Sequence, residues 1–360
     1  GAADKAPSET HTCIHDTLPK FAERISVNYT SGAAYGGVHA ALASRKRHVQ
    51  QAVAPIRVLM DTSKVGADAS TCRSAGSQVV VPDQGRMVRM TCTQEMVMTQ
   101  AKVDFVKAQI VPAARRIIEA ALLVERVSGP LALPRSTCVY TDVPAAYRSP
   151  GAADADLVIL VTAWPSPVRG VLAWASACLQ DQIGRPVAGQ INFVADNIEV
   201  ASSAVRRQLI TGVHELWHVL GFSGQLIDDF YDPARGAKLG RQNVIVERTI
   251  FGSKRTSFVK TPTIVAAAKA HFGCDALTAV ELEDGGGSGS VGSHLEKRQW
   301  QDAFMSPSIN RNGYLDRTSY ALLDDSGWYK VDYKGVEGWA WGLGAGCALA
   351  EGRCDTWRGF

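Results

Sequence analysis

The stretch best fitted to chemistry is His214-Glu215-Leu216-Trp217-His218. On a helix, residues four apart stand on one face, a turn apart. Two imidazoles so placed reach a single zinc ion at about 2.0–2.1 Å. Glu215 leaves the helix about 100° round from His214. It stays outside the ligand set, free to take a proton from a water activated by the ion and hand it to a leaving amine. The pattern implies metal-assisted hydrolysis with one Zn2+ per chain. With only 8 histidines, HExxH arises by chance on the order of 0.01 times in a chain of this length. The competing reading is an amphipathic helix whose histidines are merely hydrogen-bonded. The flanks Ile210, Val213, Val219 and Leu220 half-bury the motif, where two unpaired imidazoles are costly.

A catalytic zinc takes three protein ligands and keeps one position open. The helix runs on into Val219-Leu220-Gly221-Phe222-Ser223-Gly224, with a glycine where the chain must turn. Position 224, three residues further on, is glycine and not a third histidine, so that ligand comes from elsewhere. His11, His15, His39 and His48 lie in or beside an amino-terminal arm. His271 ends a predicted helix just before Phe272-Gly273-Cys274, which suits a structural or capping role. His294 follows the glycine-rich segment 285–289, and a flexible approach can deliver it to the metal. Met305, in Ala303-Phe304-Met305-Ser306-Pro307, is either ordinary core or the floor of a metal site.

The elements that must position these groups are partly legible. Residues 55–60 read as a strand, and 94–126 as a long helical stretch that Pro112 kinks or divides. The apolar run 156–162 reads as a buried strand. Residues 189–194 read as another strand: either plain core or a sheet edge where an extended peptide could add itself. Helical periodicity covers 203–220, with Gly221 placed to end it, and a helix is expected near 261–271. The glycine-rich 285–289 lacks the strand and helix context of a phosphate loop. At 360 residues, 46% hydrophobic and 20% charged, the chain can bury a sizeable core, in two lobes rather than one. A net charge of +3 asks for neither nucleic acid nor an anionic membrane, and no apolar run reaches bilayer-spanning length. The 8 cysteines form no CxxC pair, which disfavours a thiolate zinc knuckle and suggests disulfides in an oxidising compartment. The sequon Asn28-Tyr29-Thr30 makes Asn28 a candidate glycosylation site. Arg45-Lys46-Arg47 closes a polar arm and offers a cut site for trypsin-like proteases.

Together these residues resemble the leishmanolysins, the surface metalloproteases of trypanosomatid parasites and a branch of the metzincins. The matching stretches are HTCIHD at 11–16, GVLAWASAC at 170–178, HELWHVLGFSG at 214–224, HFGCDALTAVELEDGGGSGSVGSH at 271–294 and EKRQWQDAFMSP at 296–307. Similarity runs from residue 11 to 354. It implies an α+β, metzincin-like zinc protease. The amino-terminal lobe would hold a mixed twisted sheet and the active-site helix; the second lobe would have few regular elements. It implies His294 rather than His271 as third ligand, since the family's third histidine arrives after an insertion, and Met305 as a methionine turn. HTCIHD resembles a propeptide switch, with the Cys13 thiolate filling the open metal position; the alternative is that Cys13 is half of a disulfide. The resemblance also implies the pairs Cys72–Cys92, Cys138–Cys178 and Cys274–Cys347, leaving Cys354 alone.

The domain expectation is a propeptide over 1–47, a catalytic lobe over 48–223, a lobe over 224–350 carrying the third ligand and methionine turn, and the stub of a further domain over 351–360. Stopping at Phe360, the chain reads as a truncated piece or a shorter member, and it encodes no membrane anchor of its own. The expected function is an extracellular endopeptidase, secreted or at the cell surface, with protein and peptide substrates and its own propeptide as inhibitor. A catalytically silent zinc-fold adhesion protein is the main alternative, against which the intact Glu215 argues. A zinc hydrolase of non-peptide amides is a weaker one.

Overall fold

The computed structural model describes residues 13–18, 23–30, 53–83, 85–252, 254–285, 290–308 and 313–353. His11, His39, His48, the Arg45-Lys46-Arg47 cluster, most of the glycine-rich segment and Cys354 lie outside them.

The fold is α+β. Its centre is a four-stranded mixed sheet built from β2 (Val58–Asp61), β6 (Leu157–Thr162), β8 (Pro186–Phe193) and β7 (Ala173–Gln180), in that order across the sheet. β2, β6 and β8 run parallel and β7 is antiparallel. Every residue of β6 is buried, because both faces of the sheet are covered. Leu157, Ile159 and Val161 join the main apolar cluster, while Val158 and Leu160 join a second one with Leu131, Leu133 and Val187. The run 157–161 is therefore apolar on both faces.

One expectation is corrected. The strand over 189–194 is no edge: β8 has β6 on one side and β7 on the other, so both its hydrogen-bonding edges are taken. The sheet ends at β7, whose far side meets the amino-terminal segment. Gln180 bonds that segment through both its backbone groups, Ile25 N–H to Gln180 O at 2.9 Å and Gln180 N–H to Glu23 O at 3.2 Å.

The stretch foreseen over 94–126 is shorter. It comprises α1 (Gln100–Asp104), a π-helical segment (Phe105–Ile110) and α2 (Val111–Ala121). Pro112 stands in the first turn of α2, where its missing N–H costs least. Just before it the Val111 N–H reaches back to Val106 O, so the chain passes the proline by a π-bulge rather than a break. The helix stops at Ala121 because Leu122–Val124 becomes β5, paired with β1 (Ala54–Pro55) and β14 (Lys330–Val331).

The central helix, α3 (Val205–Leu220), is buried almost all round from Arg207 onward, as a helix that crosses a core must be. It packs on β7 and β8. A Cβ on Gly189 of β8 would lie 2.6 Å from Val219 Cγ1 and 3.1 Å from both Ile159 Cδ1 and Ser176 O, so that glycine sets how close α3 comes to the sheet. On its other side, the Trp217 indole donates to Ser319 O at 3.1 Å in α6 (Arg317–Asp325). The main apolar cluster runs from Ile56 to Ala350 and so continues across position 223.

Beyond α3 come α4 (Arg241–Val244) and a three-stranded antiparallel sheet of β11 (Ile245–Ile250), β12 (Lys254–Val259) and β13 (Val280–Glu281). Between its last two strands lies α5 (Pro262–Phe272). Cys72–Cys92, Cys138–Cys178 and Cys274–Cys347 are bonded. They tie the two flanks of the β3–β4 hairpin (Gln78–Asp83, Arg86–Thr91), a loop to β7, and the end of α5 to α7 (Cys347–Ala350). Asn28 is exposed. Among the described residues no helix is long and apolar enough to cross a membrane.

Gly189→Ala should push α3 off the sheet and destabilise the fold by about 1–3 kcal/mol, the usual cost of overpacking. Denaturant unfolding monitored by tryptophan fluorescence would measure it, and an unchanged midpoint would mean that the close approach is not needed.

Candidate metal centre

α3 brings His214 and His218 to one face, as their spacing dictates, with Nε2 atoms 3.1 Å apart. His294 arrives from the far side. Its Nε2 lies 3.1 Å from that of His218 and 3.2 Å from that of His214. All three side chains are fully buried.

The outward nitrogen of each ring faces a backbone carbonyl. His214 Nδ1 is 2.5 Å from Phe304 O, His218 Nδ1 2.6 Å from Phe222 O, and His294 Nδ1 3.0 Å from Ser290 O. A carbonyl only accepts, so each Nδ1 carries the proton and donates it. Each neutral ring then has a bare lone pair on Nε2, and the three close contacts between Nε2 atoms are not hydrogen bonds. Three buried lone pairs aimed at one another repel unless a cation sits between them. Burial first, then His15, His214 and His294, holds the His218 imidazole well below its ordinary range and keeps it neutral, as a metal ligand must be.

The spacing fits zinc. A tetrahedral ion with bonds of about 2.05 Å places its nitrogens about 3.3 Å apart, and a thiolate sulfur at about 2.3 Å lies about 3.6 Å from each nitrogen. The Cys13 sulfur is 3.4 Å from His218 Nε2, and Cys13, His214, His218 and His294 form one buried group able to hold a metal. A soft sulfur with three imidazoles is a zinc set rather than a calcium or magnesium one.

Local geometry explains how the chain reaches these positions. Gly221 ends α3 at φ 149°, a conformation closed to side chains, and the turn aims Phe222 O at His218. A Cβ there would meet Leu323 and Trp328 at 3.1 and 3.3 Å. At position 224 a Cβ would lie 3.5 Å from Gly292 O, so the glycine that displaced a third histidine lies against the segment that delivers His294. His294 is held by a short ladder: Glu283 N–H donates to His294 O and Leu295 N–H to Met305 O, both at 2.9 Å. Met305 is fully buried in the turn whose Phe304 carbonyl faces His214, and the Phe304 ring packs edge-on against Trp217.

Glu215 is fully buried. Its Oε2 accepts the Ala175 N–H of β7 at 3.1 Å. Burial pushes its carboxyl up to about 8, against the lowering pull of His15, the Ala175 N–H and Cys13. A divalent ion beside it opposes that rise. His271 stands apart: its Nε2 meets Trp341 O at 2.8 Å and its ring stacks on Trp339, a structural role.

Sequence reasoning passed over His15, counted only among the arm histidines. Its ring lies flat on His218, centroids 4.3 Å apart. Nδ1 meets Ala175 O at 2.9 Å and Nε2 meets the Ser223 hydroxyl at 3.0 Å. The available signal was its place two residues after Cys13.

His294→Ala leaves two imidazoles and one thiolate. Equilibrium dialysis should show one zinc per wild-type chain and an affinity lower by more than about 100-fold in the variant, since loss of a supporting partner alone costs about 10–100-fold. Unchanged affinity would remove His294 from the ligand set.

Comparison with known proteins identifies the family. A sequence profile of the leishmanolysin family matches residues 7–358. Leishmanolysin of Leishmania major is 32% identical over 302 residues, covering 83% of this chain and 47% of its own. A leishmanolysin homolog of Crithidia fasciculata is 30% identical over 384 residues, 98% of this chain and 55% of its own. A leishmanolysin-like peptidase of Drosophila melanogaster is 31% identical over 238 residues, 58% of this chain and 35% of its own. The chain spans about half the length of the curated trypanosomatid relatives it matches. With the profile running nearly end to end, the chain belongs to the leishmanolysin family.

Proposed function

We propose that this chain is a zinc endopeptidase of proteins and peptides, held latent by its own amino-terminal segment. The observation that carries the reading is the set of three buried imidazoles whose unprotonated nitrogens converge on one point beside a carboxylate that is not one of them. His214, His218 and His294 would hold zinc, which supplies Lewis-acid polarisation of a scissile carbonyl and lowers the pKa of a bound water. Glu215 is the general base. Anchored by Ala175 N–H, it takes a proton from water and passes it to the leaving amine. Met305 and its turn support the floor of the site.

In this reading residues 1–47 are the propeptide, 48–223 the lobe with the active-site helix, and 224–350 the lobe that supplies the third ligand. Cys13 occupies the fourth position. The same segment also covers β7, where His15 takes Ala175 O and residues 23–25 take both backbone groups of Gln180. Removing it would open an antiparallel edge where an extended peptide can pair as a further strand. The three disulfides fit an oxidising, extracellular setting, in which the exposed Asn28 would be open to glycosylation.

Nicking with trypsin, followed by casein digestion, tests both parts. Nicked wild type should digest casein, and Glu215→Ala should be slower by about 10²–10⁴-fold while retaining its zinc. Equal digestion by the two removes Glu215 from the mechanism. Intact Cys13→Ala should digest casein faster than intact wild type, though more slowly than nicked wild type, because the other contacts still cover β7; if it stays as silent as intact wild type, latency does not run through that sulfur.

A further inference from the structure

A second cluster of ligating side chains lies close behind the imidazole centre. Glu281 ends β13, Asp284 follows in the next turn of chain, and Glu296 stands just after His294. One carboxylate oxygen from each lies within 4.8 Å of the others. Two oxygens on one calcium ion, bound at about 2.4 Å, are at most about 4.8 Å apart.

The partners of these carboxylates account for all but one. Glu281 Oε2 accepts from the Arg298 guanidinium at 2.6 Å and the Gln299 amide at 3.0 Å. Asp284 takes Lys254 at 2.6 Å and the Thr256 hydroxyl at 2.7 Å. The neighbouring Glu283 uses both oxygens on backbone, with Gly285 N–H at 2.7 Å and Lys297 N–H at 3.1 Å. Glu296 differs. Its Oε1 accepts only a long 3.3 Å bond from Arg298 N–H. Its Oε2 is sealed from solvent with no hydrogen-bond partner, in a residue only 9% exposed. A buried carboxylate oxygen left unpaired is costly. Four carboxylates crowd here, with Arg298 and Lys254 the two cations in contact with them. Lys254 is half exposed, a pairing that holds Asp284 weakly and yields readily to an ion.

We propose that Glu281, Asp284 and Glu296 form a second metal site, for a hard divalent cation of the calcium class, separate from the imidazole centre. Its donors are all carboxylate oxygens, which select such an ion over zinc. Water would supply the remaining ligands of such an ion. The ion would clamp the ladder that presents the third imidazole. Glu296 N–H already donates to Glu281 O at 3.2 Å, Leu282 pairs with Leu295, and Glu283 N–H donates to His294 O. An ion bridging Glu281, Asp284 and Glu296 joins the two sides of that ladder and fixes the segment that carries His294.

The test uses the zinc-loaded full chain, freed of calcium over a chelating resin, with zinc content checked before and after. Calcium titrated by calorimetry should bind once per chain, with Kd of about 10⁻⁴–10⁻³ M, the range of extracellular calcium modules. The melting temperature should rise with calcium and saturate; magnesium, which demands a tighter octahedron, should act more weakly. Glu296→Gln and Asp284→Asn should each weaken calcium binding by at least about tenfold with zinc content unchanged. The proposal is overturned if wild type shows neither heat nor stabilisation at about 10 mM calcium, or if both variants bind calcium as wild type does. Should Glu296→Gln fail to fold, Asp284→Asn, altering a partly exposed side chain, decides alone. Calcium binding and casein digestion are read separately, so either reading can fail without the other.

Discussion

Three bare nitrogen lone pairs, buried and aimed at one point, are the constraint around which this molecule is arranged. Each carbonyl that takes an Nδ1 proton fixes a tautomer, and each tautomer leaves a lone pair facing two others across 3.1–3.2 Å. Without a cation that arrangement stores repulsion in a medium that screens poorly. With one, the same geometry becomes a preformed tetrahedral face. The carbonyls of Phe304, Phe222 and Ser290 are thus as much part of the centre as the rings.

Meeting that constraint draws on distant parts of the chain. One helix supplies two rings at no cost in loop ordering, because i and i+4 already coincide. The helix must then be held at a fixed height above the sheet, which Gly189 allows, and must end abruptly, which Gly221 allows. The third ring comes from a segment with little regular structure. It is placed by pairing on two sides, with residues 282–283 and with Met305. That ladder carries the precision a helix gives for free.

What could be read beforehand follows the same division. His214, Glu215 and His218 were legible because their relation is local and periodic. The buried strand within 156–162 was legible because covering both faces makes 157–161 continuously apolar. His294 was not settled by spacing, since the ladder that places it is non-local; it came from the family resemblance. The edge assignment over 189–194 failed because apolarity reports burial of faces, whereas being an edge depends on which strands pair alongside. The antiparallel return of β7 decides that, and nothing within 189–194 encodes it. The tautomer-setting carbonyls left no trace at all, since any residue has one. His15 was missed, although an imidazole two places after Cys13 was there to be weighed.

The amino-terminal segment raises the question of how a single cut could undo a contact this extensive. Besides Cys13 and His15, it is held by Arg24 on Asp229 at 2.6 Å, by the Tyr29 hydroxyl on Asp181, and by backbone pairing with Gln180 and Arg126. Taken singly these are modest. The ion pair is partly exposed, and such pairs contribute about 0–1 kcal/mol. In the proposed latent form their strength as a set would come from covalent continuity, which raises the effective concentration of each contact. In the proposed activation, a cut between Thr30 and Val53 would leave the contacts named above in place and remove their covalent link to the rest of the chain. Each fraying event can then end in escape instead of return, and the released segment must rebind as a separate molecule against the entropy of association. As proposed, such latency would need no strong bond apart from a Cys13 thiolate on the metal. It would be stable while the chain is whole and lost once it is cut.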